Sequence, residues 1–204
     1  MDHRKLVQRI TGVVVNIELS RKRASDLREL LLRWEEICVP QIDLVATALI
    51  EVLLKGNKIL ICGNGGSAAD SQHFAAELVG TLIKENRRIG LAAISLTTDS
   101  SILTAYSNDY SFEEVFARQV EAIGISGDAL VLISTSGNSK NCLQAMKKAR
   151  SLGIVTIALT GQAGQLVQEC DLSITVPSSN TQLIQECHVL TYHVISELID
   201  NAFS

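Results

Sequence analysis

Apolar residues follow two distinct patterns along this chain. Runs of strand length, apolar almost throughout, occupy residues 58–62, 91–96, 129–134, 154–160 and 172–176. Between them, residues 112–123, 141–152 and 183–202 place apolar side chains at helical spacing. Strands without polar alternation, separated by helices, predict a parallel sheet covered on both faces, hence an α/β fold of three layers. Ahead of the first strand, Asp26 and Glu29 form a capping-box pattern, and Leu27, Leu30, Leu31 and Trp34 follow as an amphipathic helix. Pro40 is expected to end that helix. A second helix, with Leu44, Val45, Ala48, Leu49, Val52 and Leu53 on one face, should stop at Gly56 and Asn57. Residues 1–24, including Val13, Val14 and Val15, read as a peripheral helix or an arm. Residues 1–57 thus form a helical N-terminal segment with more apolar surface than one small sheet needs, which suggests packing between subunits.

The loops after the strands carry the candidate chemistry, because ligands of parallel sheets bind at the carboxyl ends of strands. After the first strand the chain reads Gly63-Asn64-Gly65-Gly66-Ser67 and enters an Ala-rich helix. Glycines admit a ligand close to the backbone, and the free N–H groups of the helix start point at it, so the turn reads as an anion site. His73 and Glu77 lie four residues apart on that helix, one turn separated on one face, where they can share a metal or a substrate. After the third strand, Ser134-Thr135-Ser136-Gly137-Asn138-Ser139 precedes another helix. Capping needs one hydroxyl; four in six positions suit a phosphomonoester. Thr97-Thr98-Asp99-Ser100 and Ser107-Asn108-Asp109 fit capping and sugar binding equally well. The last helix carries Gln185, His188, Tyr192 and His193. Gln185 and His193 are eight residues apart, a rise of about 12 Å, so one metal would meet both only with strain from a single copy. That spacing suggests contributions from different subunits, or use of the two residues in turn.

Composition narrows the classes. At 204 residues the chain suits one domain, and its formal net charge of −4, without a dense basic block, argues against nucleic acid as a ligand. Hydrophobic residues make up 47%, yet no uninterrupted apolar run approaches the ~18 residues of a membrane span. No secretory signal pattern is seen at the start, so no membrane partner and a cytoplasmic location are expected. Five cysteines stand singly, without a CxxC pair, and are expected to be reduced and mostly buried.

Four blocks, CGNGGSAADSQHFAAELVG, TTDSSILTAYSNDYSFEEVFARQVEA, ISTSGNS and IQECHVLTYH, in this order and spacing, resemble the phosphoheptose isomerases of the sugar isomerase (SIS) superfamily over about residues 26–200. The resemblance implies a single SIS domain over residues 1–204, with a flavodoxin-like five-stranded sheet. It implies cytoplasmic homotetramers with active sites between subunits, bound zinc, and interconversion of sedoheptulose 7-phosphate with D-glycero-D-manno-heptose 7-phosphate, early in bacterial surface heptose synthesis. Carried over by motif, zinc would be held by His73, Glu77, Gln185 and His193, and protons would be exchanged by Glu77 and His193. Substrate would meet Asn64, Gly65, Gly66, Ser67, Glu77, Asn108, Asp109, Ser134, Thr135, Ser136, Ser139 and Gln185. Three positions depart from the family pattern: Thr81 and Leu183, where arginine is usual, and Asn180 in place of a frequent aspartate. A lost guanidinium removes bidentate pairing, so the sugar phosphate used is less firmly implied than the fold. Two rivals keep the phosphate loops: a non-catalytic SIS tetramer that binds the bacterial replication initiator, and a sugar-phosphate sensor. Relatives of the first kind lack a glutamate at the position of Glu77, and sensors usually carry a DNA-binding domain.

Overall fold

The computed structural model describes residues 16–84 and 88–204; the Val13–Val15 stretch lies outside them. A long helix α1 (Ile17–Leu54) is followed by β1 (Ile59–Gly63), α2 (Gly66–Val79), β2 (Ala93–Ser95), α3 (Ser100–Asp109) and α4 (Val115–Ile123). Then come β3 (Ala129–Ser134), α5 (Lys140–Ser151), β4 (Val155–Thr160), α6 (Gln165–Glu169), β5 (Leu172–Thr175) and α7 (Thr181–Ala202). The five strands form one parallel sheet in the order β2-β1-β3-β4-β5. The expected α/β three-layer architecture is what the chain adopts.

Alternation along each strand builds the two halves of the core. Ile59, Ile61, Val131, Ile133, Ile157 and Leu159 point to the layer of α1, α2 and α7. Leu60, Cys62, Leu130, Leu132 and Ala158 point to the layer of α4, α5 and α6. Both faces are therefore dry, which is why the strands read as unbroken apolar runs. All five cysteines are free thiols. Burial pushes Cys38 and Cys170 up to about 12 and Cys187 up to about 11, which keeps them protonated and unreactive.

Helix α1 corrects three expectations. It starts at Ile17, where the Asn16 side chain accepts from the Glu18 amide at 3.0 Å, and Asp26 instead pairs with Lys22 one turn earlier at 2.8 Å. It also runs through Pro40 without ending. A proline inside a helix costs roughly 3 kcal/mol. Leu30, Trp34, Cys38, Ile42, Val45 and Leu49 form one buried stripe across it, and large apolar side chains contribute about 1.5–3 kcal/mol each on full burial. Pro40 itself is exposed, so the carbonyl it leaves unpaired is on the solvent side. Third, α1 is long and apolar enough, by length and composition, to cross a membrane, although no uninterrupted apolar run does so. Here its stripe is core: Trp34 Nε1 donates to Thr191 Oγ1 at 3.3 Å, and the Gln41 side chain pairs with Thr175 of β5.

Helix α3 was not foreseen, because none of its residues is buried and no apolar stripe marks it. Its N-cap is Asp99, which accepts from the Ile102 amide at 3.0 Å. The hydroxyls of Thr97 and Thr98 donate to the Ala68 and Ser95 carbonyls. Of the two readings left open for this stretch, capping and internal bonding describe residues 97–99.

Candidate active site

The strand order reverses direction between β1 and β3, the place where ligands of such sheets bind. The glycine turn leaves β1 and the serine loop leaves β3, so the two candidate phosphate loops are neighbours. They are joined by a reciprocal amide pair, with Asn64 Nδ2 donating to Asn141 Oδ1 and Asn141 Nδ2 to Asn64 Oδ1, each at 2.8 Å. Asn141 is 3% exposed and also accepts from the Cys142 amide through Oδ1. Sequence reasoning missed Asn141; its only local signal is an amide side chain in the first turn of a helix, just ahead of Cys142 and Leu143.

The serine loop is built for more than capping. Ser139 holds the N-cap position of α5 without making a cap hydrogen bond. Its hydroxyl lies 2.9 Å from Ser134 Oγ instead, and Ser134 Oγ lies 3.4 Å from Ser136 Oγ. Three hydroxyls thus converge beside a helix start. Helix α2 likewise has Gly65 as its N-cap, with φ +57° and no side chain to cap it, whereas Asn16, Asp99 and Asn180 cap α1, α3 and α7. Two helix starts without a cap hydrogen bond from the N-cap side chain thus face the same end of the sheet, with the Ser67 and Ala68 amides bonded to the Asn64 and Gly65 carbonyls and the Cys142 amide to Asn141 Oδ1. A further clamp holds the loop rigid: Gln165 N donates to Asn138 Oδ1 at 2.9 Å and Leu166 N to the Gly137 carbonyl at 3.0 Å.

One turn into α2, the buried face of Phe74, Ala75 and Leu78 turns His73 and Glu77 toward α7. His73 Nε2 lies 2.9 Å from Glu77 Oε1, and the Tyr192 hydroxyl lies 2.9 Å from His73 Nδ1. Tyr192 is itself fixed by stacking on Phe74, with ring centroids 5.6 Å apart. The His193 ring stands 5.0 Å from that of His73, and nitrogen and oxygen atoms of His73, Glu77 and His193 lie within 4.8 Å of one another. One chain therefore assembles all three groups. Burial, then the neighbouring His73, lowers the His193 pKa despite Glu77, so the imidazole is neutral at neutral pH and free to accept a proton. Burial pushes Tyr192 up to about 12, with Asp70 and Glu77 adding to it, so it remains a neutral hydroxyl.

Gln185 faces Asp70. Its Nε2 donates to Asp70 Oδ2 at 3.2 Å, two turns of α7 before His193. A Cβ on Gly66 would sit 2.7 Å from Gln185 Cδ and closer still to its amide. Gly66 therefore makes room for a side chain of the protein itself, a reason that the glycine pattern alone does not reveal. Burial raises the Asp70 pKa against the opposing effects of Gln185 and His73. Of the remaining expected residues, Ser67 is buried at the start of α2 and Thr135 is half-buried. Asn108 and Asp109 are exposed at the end of α3, where the Asn108 amide donates to the Asp109 carboxylate at 2.8 Å.

The donor set His73, Glu77 and His193 fits a zinc ion: two imidazoles and a carboxylate are a familiar catalytic ligand group. The Tyr192 hydroxyl at His73 Nδ1 holds the ring with Nε2 toward Glu77, so a metal at Nε2 would take the place of the His73–Glu77 contact and keep the outer support such histidines usually have. Gln185 donates to Asp70 through Nε2, which leaves Oε1 as a further oxygen donor.

The departures at Thr81, Leu183 and Asn180 are absorbed locally. Thr81 Oγ1 donates to Asp200 Oδ2 at 3.1 Å, Leu183 is core, and Asn180 caps α7 by accepting from the Gln182 and Leu183 amides. Asparagine caps about as well as aspartate.

His188, on the same helix, is structural. It is fully buried, with Nε2 3.3 Å from the Thr160 carbonyl, and burial lowers its pKa to about 4. The folded state thus binds fewer protons than the unfolded chain between pH ~4 and ~6.5, so stability is present above that window and is lost as pH falls through it. About 3 kcal/mol should be lost across it. Denaturant unfolding at both ends of the window should show the fall in the wild type and a flatter profile in His188→Gln; equal slopes would remove His188 as its source.

The SIS domain family matches residues 24–161. A phosphoheptose isomerase of Aliarcobacter butzleri is 56% identical over 156 residues, 76% of this chain and 82% of that protein. One from Aquifex aeolicus is 49% identical over 185 residues, 90% of this chain and 96% of that protein. The phosphoheptose isomerase structure from Neisseria gonorrhoeae superposes with a TM-score of 0.84 at 42% identity, covering 90% of this chain and 98% of its own. That from Francisella tularensis gives 0.88 at 35%, covering 92% and 100%.

Proposed function

Because the chain belongs to the phosphoheptose isomerases of the SIS family, and is therefore an aldose–ketose isomerase acting on a sugar phosphate, we propose that it interconverts sedoheptulose 7-phosphate and D-glycero-D-manno-heptose 7-phosphate. The observation that carries the catalytic part is the meeting of Glu77 and His193 within 4.8 Å. Starting from the ketose, one of the two removes a proton from C1. The electron pair forms the C1–C2 double bond of an enediolate, negative charge develops on O2, and the O1 proton moves to O2. Delivery of a proton to C2 then leaves the carbonyl at C1. His193, neutral at neutral pH, can take or return a proton, and Glu77 can do the same from the opposite helix.

The phosphate is held by Ser134, Thr135, Ser136 and Ser139 with the start of α5, which fixes the sugar relative to the two proton carriers. Asn64, Gly65, Gly66 and Ser67 line the other side, and Gln185 reaches the substrate beyond Gly66. Zinc is the metal of this reading: His73, Glu77 and His193 would hold it, with Gln185 joining, and when bound it supplies Lewis acidity toward the carbonyl. Metal analysis of the purified protein, with chelation and add-back, tests that part.

The working form is a cytoplasmic homotetramer with sites completed between subunits. Its support is the apolar surface left on the helices: Leu19, Leu32, Leu44 and Leu54 of α1 and Ile102 of α3 are exposed, as are Tyr110 and Phe112 just after it. Helix α1 would pack against a second copy, and Asn108 and Asp109 would meet substrate across that boundary. Light scattering of the purified protein tests the assembly.

The test of the reaction is incubation with sedoheptulose 7-phosphate beside a panel of other ketose phosphates, followed by product analysis. Conversion of another ketose in its place would overturn the assigned substrate; conversion of none would favour a scaffold or sensor. Ser136→Ala should weaken sugar-phosphate affinity roughly 10-fold or more, the worth of a hydrogen bond to a charged group. Its stability should barely move, since the Asn138 amide that it accepts from is exposed. Unchanged affinity with a large drop in Tm would make the loop a mere cap.

A further inference from the structure

Glu77 and His193 come from different helices, so their separation depends on how α2 and α7 are held together. Beyond the site, at the end of both helices, lies an ion pair whose two side chains are fully buried, Arg88 and Asp200. Arg88 Nε donates to Asp200 Oδ1 at 2.6 Å, and its other nitrogens leave in different directions. Nη2 donates to the Glu77 carbonyl and Nη1 to the Leu78 carbonyl, each at 2.9 Å. Asp200 Oδ2 meanwhile accepts from Thr81 Oγ1 and from the Leu82 and Ile83 amides at 3.0–3.3 Å. Burial pushes the Asp200 carboxyl up, but Arg88, the Ile83 amide and Thr81 outweigh it and hold it below its ordinary range.

Two features separate this cluster from an ordinary buried ion pair. Its guanidinium grips the backbone of Glu77 itself, at a helix end that has no basic residue of its own in the last turn. A cation there also offsets the carbonyl end of the helix dipole. Its carboxylate belongs to α7, two turns beyond His193, so one contact fixes both helices that carry the proton-transfer groups. Only a planar fork can hold a carboxylate and two carbonyls at once.

We propose that Arg88 and Asp200 are positioning residues that set Glu77 against His193. This rests on the isomerase reading above. Arg88→Lys keeps the charge for Asp200 and loses the simultaneous grip on the two carbonyls. It should lower kcat about 10-fold with KM for sedoheptulose 7-phosphate within about 2-fold, since the serine loop that holds the phosphate lies on another element and the glycine turn lies at the far end of α2. Zn²⁺ affinity of the metal-free protein, measured by competition with a chromophoric chelator, should weaken about 10-fold, as for loss of support behind a ligand. Should Arg88→Lys fail to fold, Asp200→Asn, which keeps an acceptor for Arg88 and loses one for the 82 and 83 amides, should show the same split. A purely structural pair would lower Tm and leave kcat and Zn²⁺ affinity at wild-type values in the folded variant; that result, or a rise in KM alone, overturns the proposal. If the wild type turns over no ketose phosphate, the reaction assignment fails and the Zn²⁺ comparison decides this inference. A wild type with neither turnover nor Zn²⁺ binding removes both.

Discussion

Glu77→Gln is expected to lower kcat about 10³-fold, within the range that general acid–base catalysis contributes, while the variant stays folded. The glutamine amide fills the same volume, and its oxygen can still accept from His73 Nε2, which lies 2.9 Å from Glu77 Oε1. What disappears is the ability to take up and release a proton at that position. The Glu77 side chain retains partial exposure, 18%, so the exchange leaves no buried charge unpaired and the melting temperature should change little. Steady-state kinetics with sedoheptulose 7-phosphate, together with deuterium uptake at C1 from heavy water, would measure the effect. Turnover and exchange at wild-type rates in a folded variant would remove Glu77 from the chemistry and revive the scaffold reading, whose relatives lack this glutamate.

The second large effect should come from a single methyl group. Gly66→Ala would place Cβ 2.7 Å from Gln185 Cδ and nearer its amide nitrogen and oxygen. The obstructing atoms are the far end of a flexible side chain, so the chain yields by swinging Gln185 away from Asp70. Stability should therefore fall by less than about 1 kcal/mol, the scale of a surface change. Activity should fall about 100-fold, because displacement of a site group by an ångström costs that much. Comparing the variant with Gln185→Ala is decisive: if Gly66 acts through Gln185, the double variant should be no worse than the worse single one. Additive losses would show instead that the methyl group obstructs the ligand at the turn directly.

The two effects differ in how visible they are beforehand. Glu77 stands four residues after His73, and one turn of helix makes that pair legible without any knowledge of the rest of the chain. Gly66 is legible only as part of a glycine-rich turn, and its neighbour Gln185 is more than a hundred residues away. The same contrast runs through the whole molecule. Local periodicity fixes the strands, because a residue's two neighbours along a strand already show which faces must be dry. It also marks the helices whose stripes face the core, and it fails for α3, whose residues bury nothing within the chain.

Proline and capping residues show the limit of local rules from the other side. Asp26, Glu29 and Pro40 each carry a boundary signal, yet α1 continues through all three because its buried stripe from Leu30 to Leu53 lies on the sheet and on α7. A local preference of a few kcal/mol loses to several buried side chains of similar worth apiece.

From the order of its residues alone, this chain determines an α/β sheet, a glycine-rich and a serine-rich turn at its strand ends, and a histidine–glutamate face beside the first of them. Only the folded molecule decides that His193 joins that face within one copy, that Gln185 Nε2 goes to Asp70, and that Arg88 and Asp200 hold the two helices together. Those partners lie 112 to 120 residues apart, and no short-range pattern can select among them. The choice comes from packing α2 and α7 on the same side of the sheet, where the burial of Phe74, Leu78, Tyr192 and Ile195 sets the register that brings the polar groups into reach.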